Sequence, residues 1–207
     1  MQRILFQGDS ITDCGRSRDN DDFKGSGYPL RVIGELNLDD PGEYEFINRA
    51  VSGNRVTDLY ARIKRDIINV KPDVLSILIG VNDVWHEIEA EDGVCAEKFE
   101  KLYDMLLSEI KAALPDIKII LLGAFVLRAR ATEKAWEVFK SETEKRAEIT
   151  KKLAQKYGCV FVDLQEKFDA AVERHPEPYW TREGVHPTEA GHEIIKRAWL
   201  NAFETIR

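Results

Sequence analysis

Short runs of apolar, largely β-branched residues recur along the chain between longer amphipathic stretches: Arg3–Gln7, Glu45–Asn48, Val74–Gly80, Lys118–Gly123 and Val160–Asp163. Five strands are predicted. Leu75-Ser76-Ile77-Leu78-Ile79 and Ile119-Ile120-Leu121-Leu122 are apolar on both faces, the pattern of central parallel strands covered by helices on each side. The intervening stretches carry helical spacing. Val56, Leu59, Ile63 and Ile67 form one stripe, and Phe99, Leu102, Leu106, Ile110 and Ala113 form another. Glu133–Tyr157 and Thr188–Ile206 read as two more helices, the latter capped by Thr188 with His192, Ile195 and Trp199 following on one face. Asp13–Gly27 reads as an irregular loop beside the end of the first strand. Alternating β and α units predict an open, doubly wound α/β/α sandwich whose ligand crevice lies at the carboxyl ends of the strands. Without a repeat, a low-complexity tract or a Pro/Gly/Ser linker, residues 1–207 are expected to form one domain.

Composition narrows the classes. With 43% hydrophobic and 32% charged residues the chain is ordinary globular material, neither disordered nor collagen-like. No run approaches the ~20 apolar residues of a membrane span. Thirty basic against thirty-seven acidic side chains give a net charge of −7, which argues against nucleic acid and anionic membrane surfaces as partners. Cys14, Cys95 and Cys159 are an odd number in a chain large enough to fold without cross-links, so free thiols in a reducing compartment are expected. With Met1 as the start, no signal segment is visible and a cytoplasmic location is expected.

The chemistry is concentrated in four short blocks that follow strand ends. Gln7-Gly8-Asp9-Ser10-Ile11-Thr12-Asp13 delivers a serine hydroxyl to the carboxyl edge of the sheet where a turn begins. It lacks the second Asp of a haloacid-dehalogenase site, since Ile11 stands there, and the glycines and Lys of a phosphate loop. Ser52-Gly53-Asn54 can bring a backbone N–H close to a reacting carbonyl. Gly80-Val81-Asn82-Asp83 offers a side-chain amide, and Glu183-Gly184-Val185-His186-Pro187 supplies a carboxylate and an imidazole three residues apart. Nucleophile, base, orienting acid and oxyanion donors are the requirements of acyl transfer through a serine ester.

In these four ordered blocks the chain resembles the SGNH, or GDSL, hydrolase superfamily. More narrowly, the stretches 8–16, 52–54, 80–85 and 185–192 resemble its intracellular bacterial acetylxylan esterase branch. The resemblance implies a flavodoxin-like five-stranded parallel sheet, Ser10 as nucleophile and His186 as base. It also implies an oxyanion hole of Ser10 N–H, Gly53 N–H and Asn82, and independence from metals and other cofactors. The family motif has Asp three residues before the histidine, where this chain has Glu183. Glu183 is read as the acid partner, with a backbone carbonyl or another acid as the alternative that would orient His186.

The expected reaction is removal of acetyl or another short acyl group from a hydroxyl, on a small molecule or an oligosaccharide. Lysophospholipase, thioesterase and arylesterase activities on the same machinery are the alternatives, as is a non-catalytic carbohydrate-binding protein. Trp85 and Trp180 fall on loops expected to rim the crevice, where flat rings suit a sugar face, an acyl chain or a subunit interface, or simply pack beneath the loops. Aromatic patches leave a homo-oligomer open. Asp9 beside the nucleophile is set with the substrate-binding residues, although loop organisation is its default role, as it is for Asp83. His192 reads as structural, Cys14 as a small buried apolar residue, Arg128 and Arg130 as solvated, and Lys140–Lys152 as the outer face of a helix. His86 and His175 lack companions at metal-ligand spacing.

Overall fold

In the computed structural model, which describes residues 1–207, five strands form one parallel sheet. They are β1 (Gln2–Gly8), β2 (Tyr44–Asn48), β3 (Val74–Leu78), β4 (Lys118–Leu122) and β5 (Val160–Val162), in the order β2-β1-β3-β4-β5. The chain winds outward from β1 to β2, then crosses to β3 on the other side of β1. The topological switch therefore lies between β1 and β3, where a doubly wound fold opens its crevice.

Successive residues of each strand face opposite layers, and both layers are apolar. Ile4, Phe6, Ile120 and Leu122 pack into a core with α2 (Tyr28–Asp39), α7 (Leu164–Val172) and α8 (Glu189–Glu204). Leu5, Leu75, Ile77, Ile119 and Leu121 pack into a second core with α3 (Val56–Ala61), α5 (Ala96–Ala113) and α6 (Trp136–Tyr157). Two short elements complete the fold at the strand ends, α1 (Ser10–Asp13) and α4 (Val81–Ala90). Ser76, a polar residue in the most buried strand, accepts a hydrogen bond from Trp199 Nε1 at 3.0 Å, so its hydroxyl is not left unpaired.

Several elements differ in detail from the sequence pattern. The third strand stops at Leu78, because Gly80 at φ +130 turns the chain into α4. The 56–67 stripe is divided between α3 and a π turn at Lys64–Ile68, yet Val56, Leu59, Ile63 and Ile67 all remain buried. On α5 the buried face runs through Phe99, Tyr103, Leu106, Leu107 and Ile110; Leu102 lies at its margin and Ala113 is exposed. The 133–157 segment opens with a single 3₁₀ turn before α6 begins. Nor is Lys140–Lys152 wholly an outer face: Arg146 is 3% exposed, pairs with Glu142 and donates to Val94 O at 2.7 Å. Thr188 caps α8, its Oγ1 accepting from Gly191 N at 3.2 Å.

Candidate active site

β1 ends at Gly8, whose backbone lies so close to β3 that a Cβ there would stand 2.3 Å from Leu78 O, at φ +153. Only glycine fits, and the close approach sets the next two residues at the switch point. Asp9 then caps α1, its Oδ1 accepting from Ile11 N at 3.0 Å. Ser10 is the first helical residue, so its N–H has no partner within the helix.

Ser10 Oγ lies 2.8 Å from His186 Nε2, and His186 Nδ1 lies 2.6 Å from Glu183 Oε1. Since a carboxylate can only accept, Nδ1 carries the proton and Nε2 presents a lone pair to the serine hydroxyl. The same Glu183 oxygen accepts from the backbone N–H of His186 at 2.8 Å. Gly184 makes this compact turn possible: its φ is +111, and a Cβ would meet Leu127 O at 2.6 Å. Its N–H donates to Thr181 Oγ1 and its carbonyl accepts from Leu127 N, so both peptide groups are anchored. The hydrogen bond to Glu183 holds the His186 imidazolium above its usual pKa, against a smaller effect of burial. Burial works to raise Glu183, but its bonds from His186 outweigh it and keep the carboxyl below the usual range.

Gly53 sits on a half-exposed turn, and its N–H donates to no group of the chain. Asn82 is 5% exposed, and its Nδ2 donates to Asn54 O at 3.1 Å, which ties the start of α4 to that turn. Asp83, fully buried, accepts from Val56 N through both oxygens at 3.1 and 3.3 Å, so it organises the turn as its sequence position implies. A further connection is hidden in the sequence. Asp13 Oδ2 accepts from Ser52 N at 2.9 Å and Ser52 Oγ at 3.2 Å, joining the Ser10 turn to the residue before Gly53. Asp13 belongs to the first block, but its partner thirty-nine residues away leaves no periodicity that could disclose it.

A cleft of about 480 Å³ opens over Ser10 and His186, with Cys14, Arg182 and His192 among its walls. Trp85 flanks the imidazole at 5.8 Å between ring centroids and packs edge-on against Phe139. Three expectations are corrected here. Trp180 shows no ring face to the crevice: it is 8% exposed, its Nε1 donates to His175 O at 2.8 Å, and the turn at Glu177–Tyr179 directs it into the core shared with Trp199. Asp9 is wholly buried as a helix cap and so presents no group to a substrate. Cys14 is half-exposed rather than buried, because α1 ends there in a left-handed residue that sets the thiol in the cleft wall, 3.7 Å from His192 Nε2. His192 itself is structural, its Nδ1 accepting from Tyr28 N at 3.1 Å, and burial lowers it to about 4. Arg128 pairs with Glu133 on the surface and Arg130 is exposed.

Asp9 carries a cost that can be measured. Burial raises its carboxyl from 3.8 to about 7, only partly offset by the Ile11 N–H and the nearby His186 charge, and its Oδ2 has no partner. An acid with a raised folded-state pKa holds its proton longer folded than unfolded, so stability falls as pH rises from about 4 to 7. The full difference is on the order of 4 kcal/mol. Asp9→Asn keeps an acceptor for Ile11 N without the charge. Relative to the parent, its thermal midpoint is expected to rise between pH 4 and pH 8; an unchanged difference across that range would show that Asp9 does not titrate there.

Against known families, residues 6–194 match the model of the GDSL-like lipase/acylhydrolase family. The chain belongs to that family, and it is a carboxylic ester hydrolase. It is 34% identical over 220 residues to the acetylxylan esterase of Geobacillus stearothermophilus, covering 100% of this chain and 96% of that protein. A solved structure of that esterase superposes with a TM-score of 0.86 at 33% identity, covering 97% of this chain and 93% of the other. A GDSL-like lipase from Parabacteroides merdae superposes with a TM-score of 0.93 at 36% identity, over 98% and 95% of the two chains. Among the solved forms of the Geobacillus enzyme are two catalytic mutants, one replacing a serine and one an aspartate. No helix of the present chain is long and apolar enough to cross a membrane.

Proposed function

We propose that the protein removes acetyl or other short acyl groups from carbohydrate hydroxyls, in the manner of an acetylxylan esterase, with Ser10, His186 and Glu183 as its triad. The observation that carries this reading is the chain of hydrogen bonds from Ser10 Oγ to His186 to Glu183, 2.8 and 2.6 Å long, at the floor of a small and largely polar cleft. The similarity to an acetylxylan esterase supports the choice of substrate.

In this mechanism His186 Nε2 takes the hydroxyl proton as Ser10 Oγ attacks the ester carbonyl. Glu183 fixes the tautomer and stabilises the imidazolium as it forms. Charge developing on the carbonyl oxygen is met by the N–H groups of Ser10 and Gly53 and by the Asn82 amide, which the Asn54 bond holds in place before reaction. His186 then gives its proton to the leaving alcohol. Water, activated by the same nitrogen, attacks the acyl-enzyme and releases the acid and Ser10. Trp85 beside the imidazole offers a flat apolar face for a sugar ring or the acyl methyl. The three cysteines, all unpaired, support a reducing compartment.

The similarity to an acetylxylan esterase leads to a specificity prediction. Acetyl esters are expected to be turned over at least about tenfold faster, in kcat/KM, than octanoyl esters, with butyryl between them, and acetylated xylo-oligosaccharides to be substrates. Faster octanoyl turnover would reject the acetylesterase reading and favour a lipid or thioester substrate.

A further inference from the structure

The chain carries a net charge of −7, yet five arginines line a single cleft of about 620 Å³ on the far side of the 14–26 loop from Ser10: Arg16, Arg18, Arg49, Arg62 and Arg65. Set against them are three lining aspartates, so the wall is positive by two charges in an acidic protein. Arg49 is engaged two-pronged by Asp21, while Arg62 and Arg65 share Asp66. Arg18 reaches Asp13, which lies behind the cleft wall.

Arg16 is different. Its Nε donates to Ala50 O at 2.7 Å and its Nη1 to Ser17 O at 3.0 Å, so both of its acceptors are backbone carbonyls and neither is a carboxylate. Burial above all, with the charges of Arg49 and Arg18 added and those of Asp13 and Asp21 opposing, makes the charge on Arg16 harder to sustain. Arg16 therefore stands in that wall without a carboxylate of its own, a condition that an anion with paired oxygens relieves.

The cleft is joined to the reaction centre. Val51 lines it, two residues before Gly53. The Asp13 oxygen that holds Ser52 N also accepts from Arg18 Nη2 at 2.8 Å. The loop between the clefts gives Cys14 and Ser26 to the Ser10 side and Arg16 through Asp21 to the arginine side. A branched or extended alcohol whose ester lies on Ser10 could thus place a second group among the arginines.

We propose that this arginine cleft is a subsite for a carboxylate carried on the alcohol part of the ester, an acidic sugar of the uronic acid class. The proposal rests on the esterase reading above and adds to it a preference for acidic oligosaccharides. The guanidinium fork binds carboxylate and phosphate alike, so free phosphate is the competing source of the same chemistry.

The test compares kcat/KM for two acetylated oligosaccharides that differ in one uronic acid residue, alongside p-nitrophenyl acetate. The acidic substrate is expected to be favoured at least about tenfold at low ionic strength, and less so as salt screens the cleft. In the Arg18→Gln/Arg65→Gln protein, whose two replaced side chains are exposed, and separately in Arg16→Lys, the preference is expected to fall toward unity. Titration of glucuronate, and separately of inorganic phosphate, into the Ser10→Ala protein reads binding without turnover. Glucuronate binding that weakens with the arginine replacements supports the subsite. Equal turnover of the two oligosaccharides overturns it while leaving the esterase reading intact, and so does phosphate binding without an acidic preference. Turnover of neither oligosaccharide nor p-nitrophenyl acetate means that the esterase reading itself has failed; the subsite is then overturned if glucuronate does not bind.

Discussion

Ser10→Ala is expected to lower ester hydrolysis by roughly 10⁴–10⁶, because residues that act as a unit in acyl transfer leave only the residual rate due to binding and the oxyanion donors. The fold should barely register the change. The Ser10 side chain is partly exposed and its hydroxyl bonds only to His186 Nε2, so the loss to stability is about 1 kcal/mol or less. Thermal unfolding beside the kinetics separates a missing nucleophile from a damaged protein. More than a tenth of the parental activity in a well-folded variant would remove Ser10 from the role.

Glu183→Gln is expected to have the next largest effect, a fall in kcat of about 10²–10⁴. The amide can still receive the backbone N–H of His186, but it no longer stabilises the imidazolium and can present its NH₂ to Nδ1, which would favour the wrong tautomer. The pH profile gives a second readout. A base acts when neutral, so kcat/KM rises with pH through the pKa of His186. The Glu183 bond raises that value, and the acid limb of the parent should lie above that of an unpaired histidine. Without the carboxylate, the limb should move to lower pH even as the plateau drops. Lower activity with an unmoved limb would leave Glu183 a structural part of the turn. Glu183→Asp should fall between parent and amide: aspartate restores the family's usual acid, but the anchored peptide groups of Gly184 do not let the turn follow a shorter side chain freely.

Much of this arrangement is legible in the sequence, for physical reasons. Strands such as 118–122 are apolar on both faces, and in a chain of alternating elements that pattern belongs to a sheet covered by helices on each side. Three of the four blocks follow strand ends, so a parallel sheet brings them to one edge whatever its fine geometry, and the Glu183–His186 block joins them from the turn between α7 and α8. Features fixed by contacts between distant segments leave no such trace. Trp180 reads as a rim residue because it precedes the Glu183 block, but a single 3₁₀ turn decides whether its ring faces outward or inward. The exposure of Cys14 depends on the length of a four-residue helix. Arg146 occupies a position in a charged stretch that reads as solvated, and its burial follows from its bond to Val94 O, fifty-two residues away. The arginine cleft joins residues 16–21 with 49–66, and nothing local in either segment announces the other.

The most direct test of Ser10 as the attacking group is reaction with a p-nitrophenyl dialkyl phosphate, which leaves a stable phosphoryl ester on a serine activated in this way. The expected result is one adduct per chain, found by peptide mass analysis on Ser10, with activity lost in step with labelling and no adduct in Ser10→Ala. Hydrolysis that continues undiminished after Ser10 is fully labelled, or complete inactivation with Ser10 unmodified, would contradict the mechanism.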